Sequence, residues 1–187
     1  MVRAILEGRK TQTRRVVKMR GYEIDEKEGR AWPYRMNWAH GDPDGSEWMP
    51  CPYGKPGDRL WVRETWAKTL DQRFLYRADT SGWEKADLTA TGNWKPSIHM
   101  PRAASRIKLE ITDVRVERLQ DITWEDAIAE GIYDAAANGY WWDYLTNTFC
   151  AASPIESFMT LWDSINGKGA AAQNPFVFPV AFNHIKP

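Results

Sequence analysis

The sequence contains few residues of the kinds that bind metals or form disulfide bonds. Its two cysteines, Cys51 and Cys150, lie far apart with no CxxC motif, and its three histidines are scattered along the chain. Structural zinc sites need closely spaced pairs of such ligands. We therefore expect no metal site, no cofactor and two unpaired thiols.

The chain also lacks long hydrophobic runs and net charge. No apolar run approaches the roughly 20 residues of a membrane span, and the first residues lack the apolar core of a signal peptide, so we expect a cytoplasmic protein that does not bind membranes. The 25 Lys and Arg residues balance 25 Asp and Glu residues. Because a neutral molecule has no overall field that attracts nucleic acid, any such attraction must be local.

Positive charge is concentrated at the N-terminus. Residues 1–20 carry seven basic residues and one acid, Glu7, which gives seven minus one, or six, net positive charges. The basic residues are Arg3, Arg9, Lys10, Arg14, Arg15, Lys18 and Arg20. Four of them stand in GRKTQTRR, residues 8–15, beside two threonines. Charge runs of this kind are usually solvated loops, so the rest of the chain must decide whether this one has a function.

Length and composition indicate a single domain. A chain of 187 residues suits one domain with a sizeable core, here residues 1–187. Three stretches without a hydrophobic period, around residues 21–50, 80–95 and 132–152, are predicted to be insertions. Most of the eleven tryptophans must pack in the core or loops, but that many rings also allow a stacking pocket.

Hydrophobic periodicity predicts short elements in an irregular order. A short helix is predicted before Gly8, and strands are predicted at residues 59–66 and 74–79 after a turn at residues 54–58. In RIKLEITDVRVERL, residues 106–119, apolar residues alternate with polar ones up to Asp113 and then change parity. This change of phase predicts a β-bulge near Asp113.

Two further helices carry clear end signals. Thr123 and Asp126 have the spacing of a capping box, and Gly131 is placed to end the helix that follows. Ser153 is predicted to cap a longer helix that ends at Gly167, with apolar positions 155, 158, 159, 162 and 165 facing the core.

The final strand, PFVFPVAFNHI, contains Pro179, which cannot donate to a ladder and therefore indicates a sheet edge or a bulge. Strands and helices follow one another without a βαβ rhythm. This order favours an α+β fold, a small, mostly antiparallel β-barrel with flanking short helices.

Several motifs together resemble the ASCH domain family. GRKTQTRR is similar to the family signature G-x-K-x-x-[E/T]-x-R, and PGDRLWVRETW is similar to its G-D-x-L-x-V strand. The later helices and the aromatic final strand match in order, and the whole resembles phage and prophage ASCH proteins. The resemblance implies a PUA-like β-barrel. Relatives usually carry a short strand before the first helix, whereas this sequence begins at that helix, so one barrel strand is expected to be absent or replaced.

The resemblance also implies an activity. Small bacterial N4-acetylcytidine amidohydrolases of the same superfamily carry threonine at the position of Thr13, with a lysine before it and a glutamate on a later helix. Carried over to this sequence, these residues are Lys10, Thr13 and Glu130. The implied substrate is an N4-acylated cytosine nucleoside, whose exocyclic amide is hydrolysed.

The chemistry of these residues agrees in part with that assignment. A threonine hydroxyl needs a base, and Lys10 can serve only if burial or nearby cations destabilise its ammonium form. Glu130 lies in the last turn of its helix, where the dipole disfavours a carboxylate, and such local conflicts often mark sites. Because residues 10 and 13 point to opposite faces of a regular strand, we expect a turn to hold Lys10 and Thr13 together.

Seven further residues are predicted to contact the substrate. The aromatic ones can stack on a base or simply pack in the core, the arginine can bind a carbonyl or pair with a surface acid, and the serine and histidine can line the barrel mouth or end a loop. They are Arg15, Trp61, Glu64, Trp66, Tyr76, Ser97 and His99.

Two other functions fit the same sequence. PUA-like barrels commonly bind RNA, so the chain is alternatively an RNA-binding module or an ASCH-type ribonuclease that uses its basic N-terminal segment on phosphates. It is also consistent with a phage accessory protein that binds another protein through its Trp-rich insertions.

Overall fold

The computed structural model describes residues 1–17, 35–36, 47–48, 51–80, 93–133 and 139–185. They form a mixed α+β fold in which most strands are antiparallel, one sheet is curled into a half-barrel, and the helices are few and short. This agrees with the coarse prediction of a small barrel-like α+β fold. Most of the predicted insertions at residues 21–50 and 80–95 lie outside the described residues.

The helices are α1 (Val2–Leu6), α2 (Trp124–Ala129) and α3 (Pro154–Asn166). The strands are β1 (Gln12–Val16), β2 (Arg35–Met36), β3 (Glu47–Trp48), β4 (Arg59–Trp61), β5 (Trp66–Lys68), β6 (Phe74–Tyr76), β7 (Lys108–Val114), β8 (Glu117–Arg118), β9 (Trp141–Asp143), β10 (Thr148–Ala151) and β11 (Phe176–Ile185). The main sheet has the order β1-β11-β7-β4, and β8 also pairs with β11. Two-stranded pairs form between β2 and β3, β5 and β6, and β9 and β10.

The predicted β-bulge lies in β7. Ala181 of β11 pairs with Asp113, whereas the next residue, Phe182, pairs with Ile111. Thr112 is thus the extra residue of the bulged strand. The change of parity in the sequence predicted this irregularity correctly.

Pro179 does not lie at a sheet edge, because β11 is flanked by β1 and β7. Of the two predicted alternatives, an edge or a bulge, the edge is wrong, and Pro179 lies instead at an interruption of the ladder. Residues 180–185 of β11 pair with β7, and residues 176–177 pair with β8. Pro179 lies between them, where its carbonyl accepts a hydrogen bond from the Arg115 N–H at 3.3 Å. A central strand tolerates the missing N–H at such a break.

Both longer helices begin at the predicted caps. Thr123 Oγ1 accepts a hydrogen bond from the Asp126 N–H at 3.1 Å, and Ser153 Oγ accepts one from the Glu156 N–H at the same distance. The α2 capping box is only half formed, because the Asp126 carboxylate binds arginines instead of returning to the cap. Gly131 follows α2 with φ +94°, a conformation that favours glycine.

The stretch predicted as one strand at residues 59–66 divides between two sheets. Its first part, β4, pairs with β7, and its last residue begins β5, which pairs with β6. Residues 77–79, expected to extend the second strand, form a single 3₁₀ turn. The chain turns a corner at Glu64, whose buried carboxylate is held by Arg106.

The core consists of several clusters. The largest packs α2, α3 and the β9–β10 hairpin together, and it includes Leu119, Trp141, Phe158, Trp162 and Val177. Part of the segment predicted as an insertion at residues 132–152 is therefore core structure. Each fully buried side chain of this size contributes about 1.5–3 kcal/mol. Among the described residues no helix is both long and apolar enough to cross a membrane.

Candidate functional site

The N-terminal basic segment is mostly an edge strand. Residues Lys10, Gln12 and Arg14 are buried, whereas Thr11 and Arg15 are exposed and Thr13 is half-buried. This alternation is that of extended chain, with every second side chain facing inward. The turn that was expected to hold Lys10 and Thr13 together is therefore absent from this described segment.

Lys10 and Glu130 form a buried ion pair. The Lys10 ammonium Nζ donates hydrogen bonds to Glu130 Oε2 and to the Glu130 carbonyl oxygen, each at 2.7 Å. Both side chains are only 4% exposed. The predicted contact of these two residues is confirmed. The ammonium also compensates the helix dipole that disfavours a carboxylate at the end of α2.

Backbone contacts hold the residues just before β1 against α1 and the end of α2. The Lys10 N–H donates to the Ala4 carbonyl at 2.9 Å, and the Thr11 N–H donates to the Ala129 carbonyl at 2.8 Å. A side chain at Gly131 would place its Cβ 3.1 Å from the Lys10 Cβ. A glycine at this position lets the two segments approach closely.

Arg14 is the site residue that the sequence analysis missed. Its guanidinium, with no exposed surface, donates to Glu117 Oε1 at 2.7 Å, to Asp126 Oδ2 at 2.8 Å and to Glu130 Oε1 at 3.3 Å. Arg115 binds the first two of these acids from the other side. The alternation of residues 10, 12 and 14 was the available signal, because it places Arg14 on the face of Lys10.

The ionisation of two groups in this cluster is altered by their surroundings. Burial lowers the pKa of Lys10, and the opposing effect of Glu130 does not cancel it. For Asp126, burial alone would raise the pKa, but Arg14 and Arg115 outweigh burial and hold the pKa below its usual value. A lysine of lowered pKa is closer to the neutral form that a general base requires.

A pocket of about 250 Å³ opens beside this cluster. Glu130, Arg14, Phe158 and Trp162 are its buried residues. Its lining is completed by residues nearer the surface, namely Met1, Thr13, Arg15, Val16, Tyr53, Leu161, Ile165 and Asn166. The pocket lies between β1 and α3 and combines an ionic end with an apolar wall, which suits a small molecule with an aromatic ring and polar groups.

Thr13 and Arg15 share this pocket with Glu130, although they have the opposite parity to Lys10 on the strand. Among the described strands β1 pairs only with β11, so side chains of both faces can reach a pocket at its open edge. Within the described residues no direct hydrogen bond joins the Thr13 hydroxyl to Lys10 or Glu130. Proton exchange between Thr13 and Lys10 would therefore require a bridging water or a side-chain rotation.

The other predicted substrate contacts do not line this pocket. Glu64 and Tyr76 instead belong to a second cluster around Arg106, which binds both oxygens of Glu64 at 3.0 Å and those of Asp79 at 2.7–2.8 Å, and lies 4.0 Å from the centre of the Tyr76 ring.

Trp66 packs beside that second cluster with Met100. Trp61 belongs to β4, with Arg63 over its ring, and Ser97 and His99 lie in a 3₁₀ turn. Residue type alone did not show which of the aromatic and polar residues face which cavity.

Neither cysteine lines the pocket, and the acids of the described residues form no metal-binding group. Among the described residues no group of three or more His, Cys, Asp or Glu side chains is placed to hold a metal ion. Cys51 is a buried free thiol in a core cluster, and Cys150 is exposed on β10.

Comparison of the chain with protein-family models, with curated proteins and with solved structures finds no match. Any proposal of function therefore rests on the resemblance of the sequence motifs and on the residues of the pocket.

Proposed function

We propose that the chain is an amidohydrolase of the PUA-like ASCH type that removes the acyl group from N4-acylated cytosine nucleosides. The observation that carries this proposal is the buried Lys10–Glu130 pair beside a pocket that Thr13 lines. Burial lowers the pKa of Lys10, as a general base requires. No cofactor is needed for this chemistry.

In the first step Lys10, in its neutral form, takes the proton of the Thr13 hydroxyl through one water. The Thr13 oxygen attacks the acyl carbon and forms a tetrahedral intermediate. Arg15, which is exposed at the pocket mouth, provides a positive charge for the substrate carbonyl.

In the second step the bond between the acyl carbon and N4 breaks. The Glu130 carboxylate accepts a hydrogen bond from the N4–H of the acylated cytosine, and the leaving amine receives the proton that Lys10 accepted. Water then hydrolyses the Thr13 ester, with Lys10 again as base, to release a carboxylic acid. A direct attack by water in place of Thr13 gives the same products.

The RNA-binding and ribonuclease functions are less well supported, because most of the described N-terminal cations already have partners. Arg9 binds Glu7, Lys10 binds the buried Glu130, and Arg14 binds Glu130 and two half-buried acids. Arg3 donates to the backbone carbonyls of Ala78 and Thr80. Within residues 1–17, Arg15 is the basic side chain without an ion pair or hydrogen bond, and one such side chain is little for a phosphate-binding surface.

The proposal is tested by incubating the pure protein with N4-acetylcytidine and, separately, with mixed-sequence RNA at two salt concentrations. Release of cytidine and acetate supports the amidohydrolase. Salt-sensitive retention or cleavage of RNA without amide hydrolysis would replace it with the nucleic-acid function. If the protein neither hydrolyses the amide nor retains or cleaves RNA, binding of a protein partner would be the remaining function.

A further inference from the structure

Arg14 takes no part in the proposed chemistry, yet it contacts the carboxylate that does. Its Nη1 donates to Glu130 Oε1 at 3.3 Å, while Lys10 Nζ donates to Glu130 Oε2 at 2.7 Å. The two oxygens of one carboxylate are thus divided between two buried cations. Rotation of the Glu130 carboxylate toward Lys10 would break its bond to Arg14.

The Arg14 guanidinium is held in place by other groups. Its Nε and Nη2 donate to Glu117 Oε1 at 3.1 and 2.7 Å, and Nη2 also donates to Asp126 Oδ2 at 2.8 Å. The planar guanidinium therefore cannot follow Glu130 if that side chain turns. Arg115 binds Glu117 and Asp126 as well, but within the described residues it makes no bond with Glu130.

We propose that Arg14 is a positioning residue, which presents a single oxygen of Glu130 to Lys10 and so keeps Lys10 available as a base. Without Arg14, the carboxylate is free to offer both oxygens to the ammonium, and a nearby positive charge disappears. Both changes stabilise the charged form of Lys10. The inference rests on the proposed function only for its catalytic consequence.

The charged groups around Lys10 all bear on this equilibrium. Burial lowers the pKa of Lys10, Glu130 at the end of α2 raises it, and Arg15 and Arg14 lower it further. The amino group of Met1 is also close enough for mutual repulsion with Lys10. Of these groups, Arg14 is the cation that binds Glu130 directly. Its removal therefore raises the pKa of Lys10 in two ways, because it frees a Glu130 oxygen and removes a nearby positive charge.

The test is an NMR titration of protein labelled with ¹³C at the lysine Cε, with the Lys10 signal assigned from its loss in Lys10→Arg. In Arg14→Gln the Lys10 midpoint should rise by about one pH unit, a tenfold change in its acid constant. Arg115→Gln, which disturbs the same two acids, should leave the midpoint unchanged. An unchanged midpoint in Arg14→Gln, or an equal rise in Arg115→Gln, would overturn the proposal.

A second variant covers the case in which Arg14→Gln does not fold. Arg14→Lys keeps the charge but loses the planar fork, so the Lys10 midpoint should rise by a smaller amount, and no rise would contradict the proposal. In the hydrolysis of N4-acetylcytidine, the acid limb of the pH–rate profile should shift to higher pH by the same amount as the Lys10 midpoint. Because the titration uses no substrate, absence of hydrolysis by the parent would end the proposed function and leave this result standing.

Discussion

Alternation along one strand explains why so much charge is crowded into residues 8–15. Lys10 and Arg14 face inward and bind buried and half-buried acids, while Arg15 is exposed at the pocket mouth. The parity of these residues was readable from the sequence. Their partners were less accessible, because Glu117 lies 103 residues beyond Arg14 and local patterns carry no information on such contacts.

Replacing Gly131 tests the close approach of α2 and β1. Gly131→Ala imposes φ +94° on an alanine and places its Cβ 3.1 Å from the Lys10 Cβ and 3.2 Å from the Ala4 Cβ. We expect a loss of about 1–3 kcal/mol in the free energy of unfolding, measured with urea. Gly8→Ala is the matched control, because Gly8 also has a positive φ but open space around it. Equal losses in both variants would show that the Lys10 contact is unimportant.

At the scale of elements, local signals predicted local structure. The caps Thr123 and Ser153 and the bulge in β7 were correct, because each depends on a few neighbouring residues. Strand partners were less predictable. Pro179 was predicted to mark an edge or a bulge because proline cannot donate to a ladder, and the break between the β7 and β8 pairings gives it a place in the central strand.

Ile165 shows where the apolar stripe of α3 departs from the core. It was predicted to be buried with Phe158 and Trp162, but it is 62% exposed and lines the pocket mouth. A large apolar side chain at an exposed position beside a pocket is suited to contact a ligand.

Ile165→Asn should therefore weaken substrate binding without destabilising the fold. We expect KM for N4-acetylcytidine to rise about fivefold, equivalent to roughly 1 kcal/mol of lost apolar contact, with kcat little changed. Steady-state kinetics measure both values. Ile128→Asn is the control, since Ile128 is 40% exposed on α2 and does not line the pocket. If the two variants have the same KM, α3 does not form the binding wall.

At the scale of the whole molecule, two ionic clusters hold elements that are distant in sequence. One joins β1, β8 and α2 through Arg14, and the other joins residues 64, 79 and 106 through Arg106. Sequence reasoning placed Glu64 and Tyr76 at the substrate site because of their chemistry. Tertiary packing placed them in the second cluster. The alternation of apolar and polar residues along a strand does not show whether a side chain joins the pocket or the Arg106 cluster.

The first cluster predicts a specific acid sensitivity. The pKa of Asp126 is lowered in the folded state, so its stabilising contribution is complete above the unfolded value of about 3.9 and is lost as pH falls through the folded value. Asp126→Asn should cost about 1–3 kcal/mol at pH 7 and at pH 5. The difference from the parent should shrink below about pH 4, where Asp126 of the unfolded chain takes up a proton while the folded carboxylate takes it up only at lower pH.

Urea unfolding at pH 7, 5 and 3 measures this dependence. Asp113→Asn provides the comparison, because Asp113 is 57% exposed and lies 3.8 Å from the same Arg115. Its replacement should change stability little at any of these pH values. A constant difference between the parent and Asp126→Asn from pH 7 to pH 3 would exclude the assigned ion pairs as the source.

The Lys–Thr chemistry is tested most directly by the rate of N4-acetylcytidine hydrolysis in the parent, Lys10→Arg, Thr13→Ser and Thr13→Val as a function of pH. The parent rate should rise with pH through the lowered pKa of Lys10, because the neutral amine is the base. Lys10→Arg keeps the charge but cannot be deprotonated, so it should be inactive while still binding the nucleoside. Thr13→Ser should retain activity and Thr13→Val should lose it. An active Lys10→Arg enzyme, or a Thr13→Val enzyme as fast as the parent, would contradict the account.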